Sequence, residues 1–372
     1  MNQKFPELFS TQADDIHLQA AMDWLARAQN ISGCGGVLAH YNIKEQKWGL
    51  AYPETTGYII STFLLYSKST NDKTYLDRAV RMGDWEIEIQ LDNGGCLAGD
   101  ITYKYPRVFN TGQIIEGWCE LYKETGIQKY LNAAIRAGDW IVKMQDEDGK
   151  WTNCSYDGPK VYHSRVAWPL MNLYSLTHDG KYRESASKFV RWALTQQKNN
   201  GWFEKMCAIN PIRPNMHFIA YTLEGLLETS MLLEDDGLYK NVLNISSLLK
   251  NKFIESSKSP DVPPYGFLPV TFDENWESNE HSSCLTGDMQ ISIVWLKLFE
   301  KTGDETYLEA AKRLIERVKQ TQDLTSVDPN IHGGIAGSHP VWGVYGSNMI
   351  LNWATNFFAH AILLKKKFAS GK

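Results

Sequence analysis

One pattern recurs along this chain, and it limits the fold more than any single motif. Tyr130, Gly138-Asp139-Trp140 and Gln145 form a block whose spacing is matched 55 residues earlier by Tyr75, Gly83-Asp84-Trp85 and Gln90. Tyr182, Trp192 and Gln197 repeat it 52 residues later. Tyr307 and Gln322 keep the same separation of 15, and Trp24 and Gln29 keep the Trp-to-Gln spacing of five. Such a period means repeated supersecondary units that stack on one another.

Charge sorts the helical segments into two kinds. Ala13–Gln29, Asp72–Gln90, Ile127–Gln145, Lys181–Gln197, Gly237–Ile254 and Asp304–Gln322 are charged around an apolar stripe. Thr56–Ser67 and Val166–Leu176 carry no charge, Met289–Phe299 has one lysine, and Met349–Leu364 has only His360. Gln113–Leu121 and Met216–Leu233 are slightly more polar. A striped helix faces solvent on one side, and one apolar all round is enclosed. The alternation therefore reads outer, inner, six times over: an all-α fold of six helical hairpins, a closed (α/α)6 toroid. Inner helices are expected to start near residues 55, 111, 164, 216, 286 and 348.

Inner-to-outer links are short and carry turn residues, as at Ser69–Asn71, Thr125-Gly126, Asp179-Gly180, Asp235-Asp236 and Thr302-Gly303. Outer-to-inner links are long: Asn30–Pro53, Leu91–Asn110, Asp146–Tyr162, Lys198–Asn215, Glu255–Leu285 and Asp323–Ser347. They fall on one end of the barrel, where long loops are usually functional. Trp48, Trp151, Trp202, Trp276 and Trp342 lie in them. No composition break divides the chain, so residues 1–372 are read as one domain.

The net charge of −5 and pI near 6.0 argue against a nucleic-acid partner. No apolar run approaches the ~20 residues a membrane span needs. Nor does one follow Met1-Asn2-Gln3-Lys4-Phe5-Pro6, so a cytoplasmic protein without a leader is expected. The six cysteines lack any Cys-x-x-Cys pair and read as free thiols. Neither a phosphate-cradling Gly-x-x-x-x-Gly-Lys nor a Gly-x-Ser-x-Gly occurs. His40, His163, His217, His281, His332, His339, Cys34 and Cys284 lack ligand spacing, so neither a metal nor a cofactor is expected. Gln145-x-x-x-Gly149-x-Trp151 also occurs in triterpene cyclases as a structural staple, but the cyclases' Asp-x-Asp-Asp acid is missing here.

If the long links crown one end, the first turns of the inner helices converge on a funnel. Thr56-Gly57, Thr111-Gly112 and Thr286-Gly287 read as N-cap threonines followed by glycines for close packing. Glu54, after Pro53 on an uncharged helix, is the leading acid/base residue: shielding from water raises its pKa and the helix N-terminus lowers it. Asp288 is a second carboxylate, and glycoside hydrolysis usually requires a pair. Arg165 is the only basic residue before an apolar run, so it must have a buried partner or await an anion. His163 stands beside it. His217 and Tyr221 are one turn apart and point the same way. Tyr52, Asn110, Gln113, Trp342, Tyr345 and Trp353 complete the expected substrate surface. Aromatic faces suit sugar rings, and the expected partner is a glycan, possibly acidic, with its carboxylate at Arg165.

Tyr52–Tyr58, Phe109–Gln113, Arg165–Trp168, Cys284–Gly287, Gly333–Ser338 and Asn352–Ala354 together resemble a bacterial family of glycosidase-like six-hairpin toroid proteins associated with surface-polysaccharide biosynthesis. The resemblance runs over nearly the whole chain. The wider fold resembles six-hairpin glycosidases, uronate-acting lyases and glucuronyl epimerases. It implies a carbohydrate-active enzyme, glycoside hydrolase-like; the residues themselves offer Glu54 as general acid and Asp288, if any residue here, as base. The family's pattern has Asn at the position of Asp288, a departure that counts against a shared role for it. The alternatives are a uronate C5-epimerase or lyase with His217 or Tyr221 as base, and a non-catalytic glycan-binding protein.

Overall fold

The structure is a computed structural model that describes residues 8–369; the leaderless reading of Met1–Pro6 lies outside the described residues. Twelve α-helices occur among the described residues: α1 (Asp14–Ser32), α2 (Pro53–Thr70), α3 (Lys73–Ile89), α4 (Val108–Thr125), α5 (Gln128–Met144), α6 (Ser164–Thr177), α7 (Gly180–Leu194), α8 (Met216–Leu233), α9 (Asp236–Ser256), α10 (Leu285–Thr302), α11 (Glu305–Lys319) and α12 (Asn352–Ala369). The even-numbered helices pack in a closed cycle, α2 on α4, α6, α8, α10, α12 and back to α2. Each is backed by an outer partner, α3, α5, α7, α9 and α11 in order, with α1 behind α12. This is the (α/α)6 toroid. None of the helices is long and apolar enough to cross a membrane.

Four of the five short links share one construction. A residue in the left-handed region ends the inner helix, and an aspartate caps the outer one: Asn71-Asp72, His178-Asp179, Glu234-Asp235 and Gly303-Asp304. The left-handed turn reverses the chain, and the carboxylate takes an N–H that the new helix leaves unpaired.

The repeated Tyr and Gln join neighbouring outer helices. The hydroxyls of Tyr75, Tyr130 and Tyr182 donate to Asp23, Asp84 and Asp139, each on the preceding outer helix. Gln145 donates through Nε2 to Gly149 O (2.7 Å) in its own turn and to Ser185 O (2.9 Å) on α7. Gln29 and Gln90 do the same toward α3 and α5, and Gln322 reaches His17 O on α1, closing the ring.

Inner helices approach so closely that a Cβ on Gly117 would stand 2.1 Å from Gly57 O, so side-chain-free positions are required there. The threonines differ from expectation. Thr56 and Thr111 lie inside the first turn, donate to Tyr52 O and Arg107 O, and accept from Val37 N and Cys96 N. They tie the crowning loops to the inner helices rather than capping them. Thr355 does the same for Ile335 N.

Two small antiparallel sheets gather the loops. β1 (His40–Asn42) pairs with β2 (Lys47–Trp48), and β3 (Ser283–Cys284) pairs with β4 (Ser338–His339). β5 (Met349–Leu351) joins β1, with Tyr41 opposite Ile350.

Candidate functional site

A cavity of about 590 Å³ opens where the inner helices begin. Tyr52, Glu54, Tyr58, Phe109, Tyr162, His217, Phe218, Tyr221 and Trp353 line it from the helix starts, and Arg107, Tyr156, Asp157 and Tyr345 from the links.

Pro53 sets the start of α2 and places Glu54 in its first turn. Its carboxyl is accessible from the cavity yet surrounded by protein, and among the described residues it has no ion-pair partner. Burial pushes its pKa up to about 8, against a smaller downward pull from Arg165. At neutral pH it therefore holds its proton. One turn on, Tyr58 faces the same way, and its hydroxyl meets that of Tyr221 at 3.5 Å.

His217 packs against Tyr221 in a tilted arrangement, with ring centroids 4.1 Å apart. Its Nδ1 lies 2.7 Å from Gln290 Oε1, which puts the imidazole proton on Nδ1 and leaves Nε2 as an acceptor. Burial lowers its pKa to about 3, so the ring is neutral. Tyr345 accepts from Trp353 Nε1 at 2.9 Å, and Tyr52 packs at the edge of the same indole. Asn352 donates to Thr55 Oγ1 (2.8 Å) and Leu38 O (3.0 Å), which fixes the start of α12 against α2.

Six of the sequence-derived residues meet at this cavity: Tyr52, Glu54, His217, Tyr221, Tyr345 and Trp353. The other six do not line it. Arg165 is 1% exposed beneath the floor, paired with Glu116 (3.0 Å) and Glu224 (2.7 Å) and bonded to Gln113 Oε1 (3.0 Å). Two carboxylates already answer its charge, so the expectation that it receives a substrate carboxylate is corrected. Gln113 is taken up by Arg165. Asp288 is fully buried, accepts from Leu268 N, and has its pKa raised well above the ordinary range by burial. It turns toward the loop behind α10, which removes the geometric basis for Asp288 as base. His163, in a 3-10 turn before α6, is enclosed by Trp151, Tyr162 and Phe109, and burial lowers its pKa to about 3. Asn110 is buried. Trp342 is 47% exposed on its loop, away from the cavity lining.

The loop tryptophans are mostly staples. Trp151 donates to Ile141 O and stacks on Phe189, and Trp202 packs edge-on against Trp276. Sequence reasoning missed Tyr58, Tyr156, Phe218 and Arg107. Tyr58 could have been found, since it is four residues after Glu54. Tyr156 and Arg107 lie in irregular links with no period to read. Among the described residues, no group of three or more His, Cys, Asp and Glu side chains is placed to hold a metal.

A family profile described as the beta-L-arabinofuranosidase, GH127 catalytic domain matches residues 98–245, less than half of the chain. No curated protein matches the sequence. Solved structures resemble the fold closely. An unsaturated glucuronyl hydrolase specific for heparin is 14% identical with a TM-score of 0.76, covering 96% of this chain and 99% of that one. Cellobiose 2-epimerase from Bacillus thermoamylovorans B4167 is 13% identical with a TM-score of 0.73, covering 94% and 97%. A sugar epimerase from a ruminal bacterium is 12% identical with a TM-score of 0.74, again covering 94% and 97%. These likenesses establish the six-hairpin fold; the chemistry has to be argued from the cavity.

Proposed function

We propose that this chain, acting as one domain over residues 1–372, is a carbohydrate-active enzyme of glycoside hydrolase type, with Glu54 as the general acid. The observation that carries the reading is a carboxyl with a pKa near 8 in an aromatic-walled cavity large enough for sugar rings. The partial match to a glycosidase catalytic domain supports it. Tyr and Trp faces stack on sugar rings. Glu54 passes its proton to the glycosidic oxygen as the bond to the anomeric carbon breaks. Water adds its oxygen to that carbon, and its proton leaves to the neutral Nε2 of His217. Asp157 is the less suitable acceptor, since its side chain is 75% exposed and paired with Lys160 at 3.1 Å. The substrate fits the surface-polysaccharide setting that the resemblance implies.

A second reading is an epimerase or lyase. It is favoured by the absence of Asp288 from the cavity wall, because hydrolysis by paired carboxylates then lacks its second member. Glu54 and His217 would serve as proton donor and acceptor at carbon, and Tyr221 lies against His217. The test incubates the protein and Glu54→Gln with defined oligosaccharides in heavy water. New reducing ends support hydrolysis, deuterium on a ring carbon epimerisation, and an unsaturated product lyase action. Ligand binding without product leaves a glycan-binding protein. Full turnover by Glu54→Gln removes the general-acid role.

A further inference from the structure

Arg107 is the one arginine on the cavity wall, and its surroundings differ from those of Arg165 in a way that points to a ligand. Its side chain is half-buried at the residue preceding α4. The guanidinium carbon lies over the rings of Tyr105 and Tyr156, 5.0 Å from each centroid. Nη1 donates to Ser155 O at 2.7 Å. Tyr156 is itself fixed, its hydroxyl accepting from Gly99 N at 3.2 Å. The cation is thus held in a fixed plane by two aromatic faces and one carbonyl. No carboxylate lies within ion-pair distance of it among the described residues. Among the described residues, Nε is buried without a hydrogen-bond partner.

The remaining charges of the cavity do not answer it. Glu54 carries its proton at neutral pH, and Asp157 is drawn to Lys160. Arg165, wholly removed from bulk water, has two acidic partners. Arg107, half-buried, has none among the described residues, and it borders the substrate space.

Resting on the carbohydrate reading above, we propose that Arg107, braced by Tyr105, Tyr156 and Ser155 O, binds an oxyanion carried by the sugar in this cavity, a ring carboxylate or a sulfate ester. The guanidinium N–H groups left unpaired are of the kind that bonds oxyanions with charge assistance. The two tyrosine contacts and the bond to Ser155 O orient the fork before the ligand arrives, which lowers the ordering cost of binding. The enzyme then selects an acidic sugar at Arg107, while the proton is handled at Glu54.

The test is retention on an array of matched glycans, each neutral sugar printed beside its uronic-acid and sulfated counterparts. Native protein, Arg107→Met and Arg107→Lys are compared at low and high salt. We expect native protein to favour acidic glycans at least tenfold, the preference to shrink with salt, and Arg107→Met to lose that preference. Arg107→Lys, which keeps charge but not the planar fork, should fall between; if Arg107→Met fails to fold, Arg107→Lys with the salt series decides. Retention of sulfated but not carboxylated members, or the reverse, identifies the oxyanion. Equal retention of neutral and acidic members by native protein overturns the anion site and leaves the carbohydrate reading standing. An acidic preference that survives Arg107→Met overturns the assignment to Arg107. Retention of no glycan by native protein overturns the carbohydrate reading, and the anion site with it.

Discussion

Replacing Arg165 by methionine separates a structural cation from a ligand-binding one. The substitution keeps much of the buried apolar volume and removes the charge between Glu116 and Glu224. Taking one partner from a buried ion pair costs about 3–5 kcal/mol. Two observations place this case near the lower end at pH 7. Glu116 has its pKa raised by burial to about 7 even with Arg165 beside it, so neutralising it takes little further work at pH 7. Glu224 keeps Lys297, 3.7 Å away. The expected loss is therefore ~3 kcal/mol at pH 7. A chain of this length unfolds with an entropy on the order of 0.8 kcal/mol/K, so the thermal midpoint should fall by about 4 °C. At pH 9 native Glu116 is ionised and paired, whereas the variant must hold it neutral, so the penalty grows with pH. Adding Glu224→Gln should restore part of the loss. Thermal unfolding at both pH values, with glycan retention measured alongside, checks all of this. A variant melting within a degree of native at pH 7 and pH 9, or one that keeps its stability but loses preference for acidic glycans, would refute the reasoning.

Turnover should be nearly constant from about pH 4, above the depressed pKa of His217, and decline above about pH 8 as Glu54 ionises; a kcat/KM profile measures this. The folded-state pKa of Glu54 lies above its unfolded value, so its contribution to stability is full below about pH 4.5 and is lost as pH rises toward 8. Glu54→Gln should accordingly abolish turnover yet raise the thermal midpoint at pH 8 by a few degrees, and a midpoint that falls at pH 8 would count against the raised pKa. Gln290→Leu removes the acceptor that fixes the His217 proton on Nδ1, so kcat should drop roughly tenfold or more with KM little changed. Gln145→Leu leaves Gly149 O and Ser185 O without their donor and should cost about 1–3 kcal/mol in unfolding experiments, without altering turnover.

Fold and site were not equally legible. Charge distribution exposed the two classes of helix, because burial on every side keeps charged residues few, and those present, such as Arg165 with Glu116 and Glu224, are mostly paired. Inner helices expected near 55, 111, 164, 216, 286 and 348 begin at 53, 108, 164, 216, 285 and 352. The latest start differs most because Met349–Leu351, an apolar run continuous with the helix, is drawn into strand β5 by β1. The Tyr and Gln of the repeat marked its period, but their partners, an aspartate and a carbonyl on the adjoining outer helix, are visible only in three dimensions.

At the site, the sequence placed residues at helix starts but not their rotation about the helix axis. Successive positions on a helix turn by about 100°, so Glu54 reaches the cavity while Asp288, also in a first turn, faces a loop. Pairs four apart, His217 with Tyr221 and Glu54 with Tyr58, share a face and could be read together. Arg107 and Tyr156 come from irregular links, where no periodicity says which way a side chain points.

The cycle of inner helices bears on how the enzyme comes to exist at all. Linear helical arrays need special terminal repeats to cover their last apolar face. Here α12 covers that face by packing on α10, α2 and α1 at once, as a keystone does in an arch. Without α12 the other five inner helices would leave the flanks of α2 and α10 uncovered. Trp353 and Asn352 arrive with the same helix, one walling the cavity and the other tying α12 to Thr55, next to Glu54. An incompletely folded chain therefore lacks not just a helix but the closed chamber that keeps Glu54 protonated. The wall of the cavity beside Glu54 is thus completed only where the two ends of the chain's helical cycle meet.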